Sequence, residues 1–386
     1  MKPIYLDYNA TTPIAPEVAD AMLPYLKGFF GNPSSSHFYG RQTKEAISKA
    51  RKQVALLLNC EANELIFTSG GSESNNYALK GYAFANQEKG KHIITSAIEH
   101  PAIIEVCKFL ETQGFEVSYL PVDGTGRVQL SDVKSAIRTD TILISIMYAN
   151  NEVGTLQPIS EIAKLAKFHN IAVHSDCAQA IGKVPVNVQE LGVDLVTLAG
   201  HKFYGPKGIG ALYIREGIHL QKLIHGADHE RNLRAGTENV LEIVGLGRAA
   251  ELAMEEEEER IKHEKDLIRV LRKNLSQLPE IQLNGHEAYC LPNTLSVSFK
   301  NIQAKDIIAR LKNVAASAGA ACHTDSIIVS STLKAMNIPL EYAMGTIRFS
   351  VGRYTTKAEI DLASKEIVEV IKGMRRDANQ KKSTNA

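Results

Sequence analysis

The run Ile142-Leu143-Ile144-Ser145-Ile146, the amphipathic stretch from Ile159 to Phe168, then Ile171-Ala172-Val173-His174 and Leu195-Val196-Thr197-Leu198 decide the fold class. Short, nearly continuous apolar runs separated by helix-length segments mark strands buried on both faces, as in a parallel sheet covered by helices. The alternation extends outward. Candidate strands precede it at Leu65-Ile66-Phe67, His92-Ile93-Ile94 and Val117-Ser118-Tyr119-Leu120, and another follows from Ile209 to Ile214. Candidate helices cover 72–86, 101–113 and 159–168. The pattern predicts an α/β domain built on a mainly parallel seven-stranded sheet.

After about Glu238 the pattern changes. One long helical stretch is expected to about Leu278, with Ile261, Ile268, Leu271 and Leu275 on one face and the acidic run Glu255 to Glu259 on the solvated side. A smaller α+β unit follows, with strands near 295–299 and 347–351 and a last helix near 357–374. The expected organisation is a large α/β domain over 15–250, a small α+β domain from 1–14 and 251–374, and a disordered polar tail over 375–386. A chain of 386 residues has the length for two cores.

Lys and Arg total 44 against 43 Asp and Glu, a net charge of +1, so no global field points to nucleic acid or membrane as a partner. Five cysteines at irregular spacing (Cys60, Cys107, Cys177, Cys290, Cys322) do not form a disulfide framework and fit a reducing, cytoplasmic setting. The segment MKPIYLDYNATTP has neither the basic start nor the apolar run of a secretory signal.

The sharpest local signal is Ala199-Gly200-His201-Lys202-Phe203-Tyr204-Gly205-Pro206-Lys207-Gly208, a lysine in a glycine-rich turn just past a strand. Alone it reads as a common turn lysine. A Schiff-base lysine needs this kind of place, close to a cofactor and partly desolvated. Asp176, 26 residues earlier, ends a strand in His174-Ser175-Asp176-Cys177-Ala178-Gln179. It could be a helix cap, or the carboxylate that keeps a pyridinium nitrogen protonated. Thr68-Ser69-Gly70-Gly71-Ser72-Glu73-Ser74-Asn75-Asn76 follows a strand and opens a helix, which suits a phosphate cradle as well as a plain cap. His100, in Ile98-Glu99-His100-Pro101, is placed either to cap a helix or to stack on a ring and pass protons. Taken in order, the four signals point to pyridoxal phosphate.

With these segments the chain resembles the NifS/IscS-type cysteine desulfurases of the class V aminotransferase-like pyridoxal-phosphate enzymes. Further matching stretches are Tyr5 to Pro13, Gly31 to Ser35, Tyr148 to Gly154, Arg234 to Asn239 and Ile347 to Ser350, so the likeness covers nearly the whole chain. It implies the fold type I architecture of pyridoxal-phosphate transferases. It further implies that Lys202 carries the cofactor as a Schiff base and moves the substrate proton, that Asp176 pairs with the ring nitrogen, and that His100 stacks on the ring. Gln179 and Asn151 would contact the ring oxygen, and Gly71, Ser72 and His201 the phosphate. Thr237 would reach the phosphate of a partner subunit, which implies a homodimer. Arg348 with Asn151 would hold the substrate carboxylate, a role that suits the planar guanidinium. No metal is expected.

Cys322 lies among small residues in Ala315-Ala316-Ser317-Ala318-Gly319-Ala320-Ala321-Cys322-His323-Thr324-Asp325, which predicts a mobile loop that brings a thiol to a cleft. His323 beside it would favour the thiolate. The resemblance makes Cys322 the residue that takes sulfur from L-cysteine as a persulfide, leaving L-alanine, before transfer to an acceptor protein. The common desulfurase loop reads Ser-Gly-Ser-Ala-Cys. The Ala-Gly-Ala-Ala-Cys-His-Thr-Asp of this chain is similar to the selenocysteine lyases and to desulfurases serving DNA phosphorothioation. L-selenocysteine is therefore the alternative substrate, and a non-catalytic partner-binding scaffold is the alternative of another class. Ala199 stands where the family often has a phosphate-binding serine, and Ala227 and Asp228 where it usually has more glycine.

Overall fold

The computed structural model of the chain describes residues 3–323 and 326–384; the side chains of 320–323, 326–328, 379 and 381–384 lie outside the description. Seven strands form the central sheet in the spatial order Leu65–Thr68, Gly210–Ile214, Leu195–Ala199, Ala172–Asp176, Thr141–Ser145, His92–Ser96 and Glu116–Leu120. Only Gly210–Ile214 runs against the rest; it is antiparallel to both of its neighbours. The chain thus has the α/β fold expected of it, with a mainly parallel sheet. Every residue of the six inner and first-edge strands is buried, which is why their sequences are almost unbroken apolar runs. The edge strand Glu116–Leu120 exposes Glu116 and Tyr119 instead.

Polar residues inside the sheet are matched to one another. His174 spans Ser145 Oγ at 2.9 Å and Thr197 Oγ1 at 3.1 Å. Complete burial lowers its pKa to about 3, so it is a neutral, satisfied core residue.

The carboxyl ends of the six strands other than Gly210–Ile214 open on one edge. Thr68 leads to Gly70, whose φ of +146° suits glycine and turns the chain into the helix Gly71–Asn76. A Cβ on the facing Gly210 would lie 2.8 Å from Gly70 Cα, so the two backbones meet at a distance only glycine permits. The helix continues through a wider turn at Tyr77–Gly81 into Tyr82–Asn86. Such π-type turns recur near functional sites.

A second hydrophobic core, separate from those around the central sheet, gathers Phe299, Phe349, Ile347, Leu271 and Ile367 with Ile4 and Leu6. Its antiparallel sheet runs Ser317–Ala318, Thr346–Ser350, Thr294–Phe299, Ile281–Asn284. The N-terminal strand Ile4–Tyr5 pairs with Val314–Ala315, and Asp7 bridges to Ser350.

Two expectations need revision. The long helical stretch is two helices, Val240–Glu255 and Glu257–Leu275, which meet at Glu256 with φ −113° and ψ 8°. Glu256 is drawn from the solvated acidic run into a bond with Arg353 at 2.5 Å, a contact made by a residue 97 positions away that periodicity cannot register. The last helix spans Lys357–Thr384, so helical backbone continues past 374 into the segment expected to be disordered. Arg310 to Asp377 at 2.8 Å ties its first extra turn to the small core's helix Ala304–Arg310.

Phe299 is fully buried and Phe168 is 81% exposed. Phe299→Ala is expected to lower unfolding free energy by about 3–5 kcal/mol in denaturant titrations. Phe168→Ala is expected to stay within about 0.5 kcal/mol of the parent.

Candidate active site

A cleft of about 300 Å³ lies at the carboxyl edge of the sheet. Its walls bring together Lys202, Asp176, His100, Gly71, Ser72, His201, Gln179, Asn151 and Arg348, residues spread over most of the chain. This is the crevice in which open α/β sheets bind ligands.

Asp176 ends its strand, and the register places it beside Thr197 of the next. Its Oδ2 accepts from Asn75 Nδ2 at 2.7 Å and its Oδ1 from the Ala178 N–H at 2.9 Å. Lys202 follows the neighbouring strand through the short turn Gly200–Lys202. Its Nζ donates to the carbonyls of Asn9 and Ala10, both at 2.9 Å. Burial lowers the Lys202 pKa to about 8, and the Arg348 charge adds to this, while Asp176 and Asp7 oppose it. A substantial neutral fraction is therefore present near neutrality, as an amine nucleophile requires.

His100 caps the helix Pro101–Thr112, its Nδ1 accepting from the Ala102 N–H at 3.1 Å. The ring is open to solvent on one side, yet desolvation lowers its pKa, Lys202 adds to the effect and Asp176 counters it. His100 thus caps its helix and also lines the cleft. Directly before it Glu99 is wholly buried, accepting from Ser96 Oγ at 2.5 Å and from the Met147 N–H at 3.0 Å; burial raises its pKa to about 8. His201 bonds Thr11 Oγ1 at 3.2 Å, and burial next to Lys202 brings its pKa down to about 4. It is thus neutral at pH 7, with an N–H to give to an anion.

Arg348 is mostly buried. Its Nη1 donates to the Asn151 carbonyl at 2.9 Å and its Nη2 to Asp7 Oδ1 at 2.6 Å and Ser317 Oγ at 3.0 Å. Its Nε is buried without a partner among the described residues, as is Oδ1 of Asn75. The cleft thus sets an amine and a carboxylate beside a helix N-terminus whose first N–H groups lack intrahelical acceptors. This set fits pyridoxal phosphate: amine for the aldehyde, carboxylate for the ring nitrogen, helix start for the phosphate.

Two sequence-derived site residues stand apart. Thr237 is exposed and is not part of the cleft wall. Cys322 has its backbone in the strand Ala320–His323, opposite Ile327 of Ser326–Val329, while its side chain lies outside the described residues. Where small residues predict a loop, the backbone of Ala320–His323 pairs antiparallel with Ser326–Val329. Ala199 lines the cleft with a methyl group, and Glu230, Arg231 and Asn232, just after Asp228, all have positive φ. Cys177 is buried and burial raises its thiol pKa, as a packing residue's should be.

Sequence reading missed Asn75, Asp7 and the carbonyls of Asn9 and Ala10. Asn75 and Asp7 sit inside the motifs that were singled out, so their polar type was a usable signal. A backbone carbonyl carries none.

A family model described as aminotransferase class-V matches residues 4–362. The chain is 50% identical over 378 residues to a protein named cysteine desulfurase IscS from Dictyoglomus turgidum, covering 96% of this chain and 95% of that one. A solved structure described as a NifS-like protein superposes with a TM-score of 0.91 at 39% identity, over 96% of this chain and 99% of that chain. Another, described as SspA in complex with cysteine, gives 0.80 at 37% identity, over 92% and 100%.

In the cofactor-free chain, Lys202 is expected to react with an amine-acylating reagent as a group half-deprotonated near pH 8. Exposed lysines should follow a midpoint near ~10.4. Peptide mass spectrometry across a pH series reads the difference; a Lys202 midpoint with the exposed lysines would contradict the burial argument.

Proposed function

Because the chain belongs to the class-V aminotransferase family, we propose that it is a pyridoxal-phosphate-dependent cysteine desulfurase that converts L-cysteine to L-alanine and leaves the sulfur as a persulfide on Cys322. The observation that carries this reading is the meeting of Lys202, Asp176, His100 and Arg348 in one cleft, in a chain half identical to a named desulfurase over nearly its whole length.

When bound, the cofactor supplies an electron sink for the pair left at the substrate Cα. The protein's residues do the rest. Lys202 would hold the cofactor covalently until the substrate amine displaces it and, freed as a neutral amine, would take the Cα proton, leaving Cα to regain a proton before alanine departs. Asp176, tethered by Asn75 and the Ala178 N–H, accepts the proton-bearing ring nitrogen's hydrogen bond. His100 covers the ring. Gln179 and Asn151 face the ring oxygen, and Gly71, Ser72 and His201 hold the phosphate, the methyl of Ala199 leaving that task to them. Arg348 receives the substrate carboxylate, with its unpartnered Nε and the fork geometry of a guanidinium supporting the role. The Cys322 thiolate attacks the substrate sulfur; the S–S bond forms, the Cβ–S bond breaks, and Cβ takes a proton to become the methyl of alanine.

Thr237 is assigned to the phosphate of a second copy. The exposed apolar set Leu23, Leu26, Phe30, Phe38 and Tyr39 supports a homodimer, since so much apolar surface in one segment marks an interface. The cofactor is held by residues 15–250, and the thiol is carried by the small unit of 1–14 and 251–374. The persulfide passes to an acceptor protein. No helix among the described residues is long and apolar enough to cross a membrane. The free thiols of Cys60, Cys107, Cys177 and Cys290 support a cytoplasmic setting.

The loop Ala318-Gly319-Ala320-Ala321-Cys322-His323 supports a second reading, release of selenium and alanine from L-selenocysteine. Selenium leaves more readily than sulfur, so a lyase depends less on the thiol. Cys322→Ala separates the two: loss of cysteine turnover with selenocysteine turnover retained shows both reactions in one site. A parent enzyme that never turns over cysteine rules out the desulfurase. A purified protein without the yellow colour of bound cofactor would instead point to a scaffold.

After incubation with L-cysteine, the Cys322 peptide is expected to gain the mass of one sulfur; alanine formed without that gain would favour the lyase. Asp176→Ala is expected to lower kcat about 10²–10³-fold, the size seen when a positioned electrostatic group is removed. Arg348→Ala is expected to raise KM for cysteine on the order of 10–100-fold.

A further inference from the structure

Beneath the cleft lies a buried group of charges that the reaction above does not use. Lys183 is 4% exposed, and Arg260 and Glu264, both on Glu257–Leu275, are 5% and 2% exposed. The Lys183 Nζ donates to Oε1 of Gln179, four residues back along the chain, at 2.5 Å, and Gln179 Nε2 donates to the Asn9 carbonyl at 2.8 Å. An ammonium has only donors and a carbonyl oxygen only accepts, so both partners demand the same amide orientation. The usual ambiguity between amide oxygen and nitrogen does not arise here. One Gln179 N–H is left over, on a residue that lines the cleft.

We propose that Lys183 is a positioning residue: it pins the Gln179 amide oxygen away from the cleft so that the remaining N–H faces the ring oxygen of bound pyridoxal phosphate. The inference rests on the functional reading above and adds to it a residue outside the cleft wall. Without Lys183 the Asn9 carbonyl alone still orients the amide, through one bond instead of two, so the N–H toward the ring oxygen is held less firmly.

The charges that face Lys183 come from several elements. Lys202, Arg348 and Arg260 disfavour its ammonium and Glu264 favours it, and with burial as the largest influence its pKa falls to about 7. Charged or neutral, Lys183 keeps an N–H for Gln179. Glu264 Oε2 and Arg260 Nε are buried without partners among the described residues.

The test uses the dimeric holoenzyme and Lys183→Met, with Lys183→Met/Glu264→Gln as a second variant that removes the uncompensated carboxylate if the first folds poorly. The readout is the pH titration of the bound cofactor's visible absorbance. Loosening the N–H donor at the ring oxygen favours protonation of the neighbouring imine nitrogen, so the midpoint is expected to rise by about one pH unit. In a Gln179→Leu background the same Lys183 substitution is expected to add almost nothing, because the donor is already gone. A Lys183→Met titration superimposed on that of the parent overturns the proposal, and so does a shift that persists undiminished with Gln179→Leu. Failure of the functional reading is distinct from both: it shows in the parent protein alone, as no persulfide from cysteine.

Discussion

The register between the parallel strands Ala172–Asp176 and Leu195–Ala199 is the constraint on which the site depends. It sets Asp176 beside Thr197 and so brings the carboxylate and the Lys202 turn to the same edge of the sheet. A shift of one residue would turn Asp176 to the other face. His174 guards the register from inside, because its two ring nitrogens reach Ser145 and Thr197 on the two flanking strands only in this alignment. An amine and a carboxylate are thereby held in the same cleft, each occupied by neutral hydrogen-bonding groups: Asn9 and Ala10 on one side, Asn75 and the Ala178 N–H on the other. The lysine is left as a desolvated amine.

The central sheet was legible because its strands are buried on both faces, so burial wrote itself into runs such as Ile142 to Ile146. The helix break at Glu256 was not legible, since it follows from a distant arginine and not from a glycine or proline in the helix. Much of the cleft could be read from the sequence because Lys202, Asp176, Gly71 and His100 each follow a strand of the sheet directly. Lys183 and Glu264 escaped notice for the opposite reason. A lysine four residues beyond Gln179 and a glutamate on a charged helix look like solvated residues, and only packing shows that both are buried.

The cores around the central sheet underlie the cleft, while the separate core of the C-terminal sheet includes neighbours of Arg348 on Thr346–Ser350. The N-terminal segment joins them: Ile4 and Leu6 pack in the second core, and a few residues on Asn9 and Ala10 meet Lys202. Asp7, between these, pairs with Arg348 at 2.6 Å. Under the proposed function, a substrate carboxylate at Arg348 would share or displace Asp7, on the segment that also contacts the lysine.

Two buried lysines with lowered pKa lie near the cleft, Lys202 and Lys183, and each could in principle hold an aldehyde. The account rests on Lys202, since it lines the cleft whereas Lys183 is turned to Gln179 beneath it. The most direct measurement is borohydride reduction of the pyridoxal-phosphate-loaded protein, followed by digestion and peptide mass spectrometry. The phosphopyridoxyl mass is expected on the Lys202 peptide alone. The same mass on the Lys183 peptide, or spread over exposed lysines such as Lys207, would contradict it.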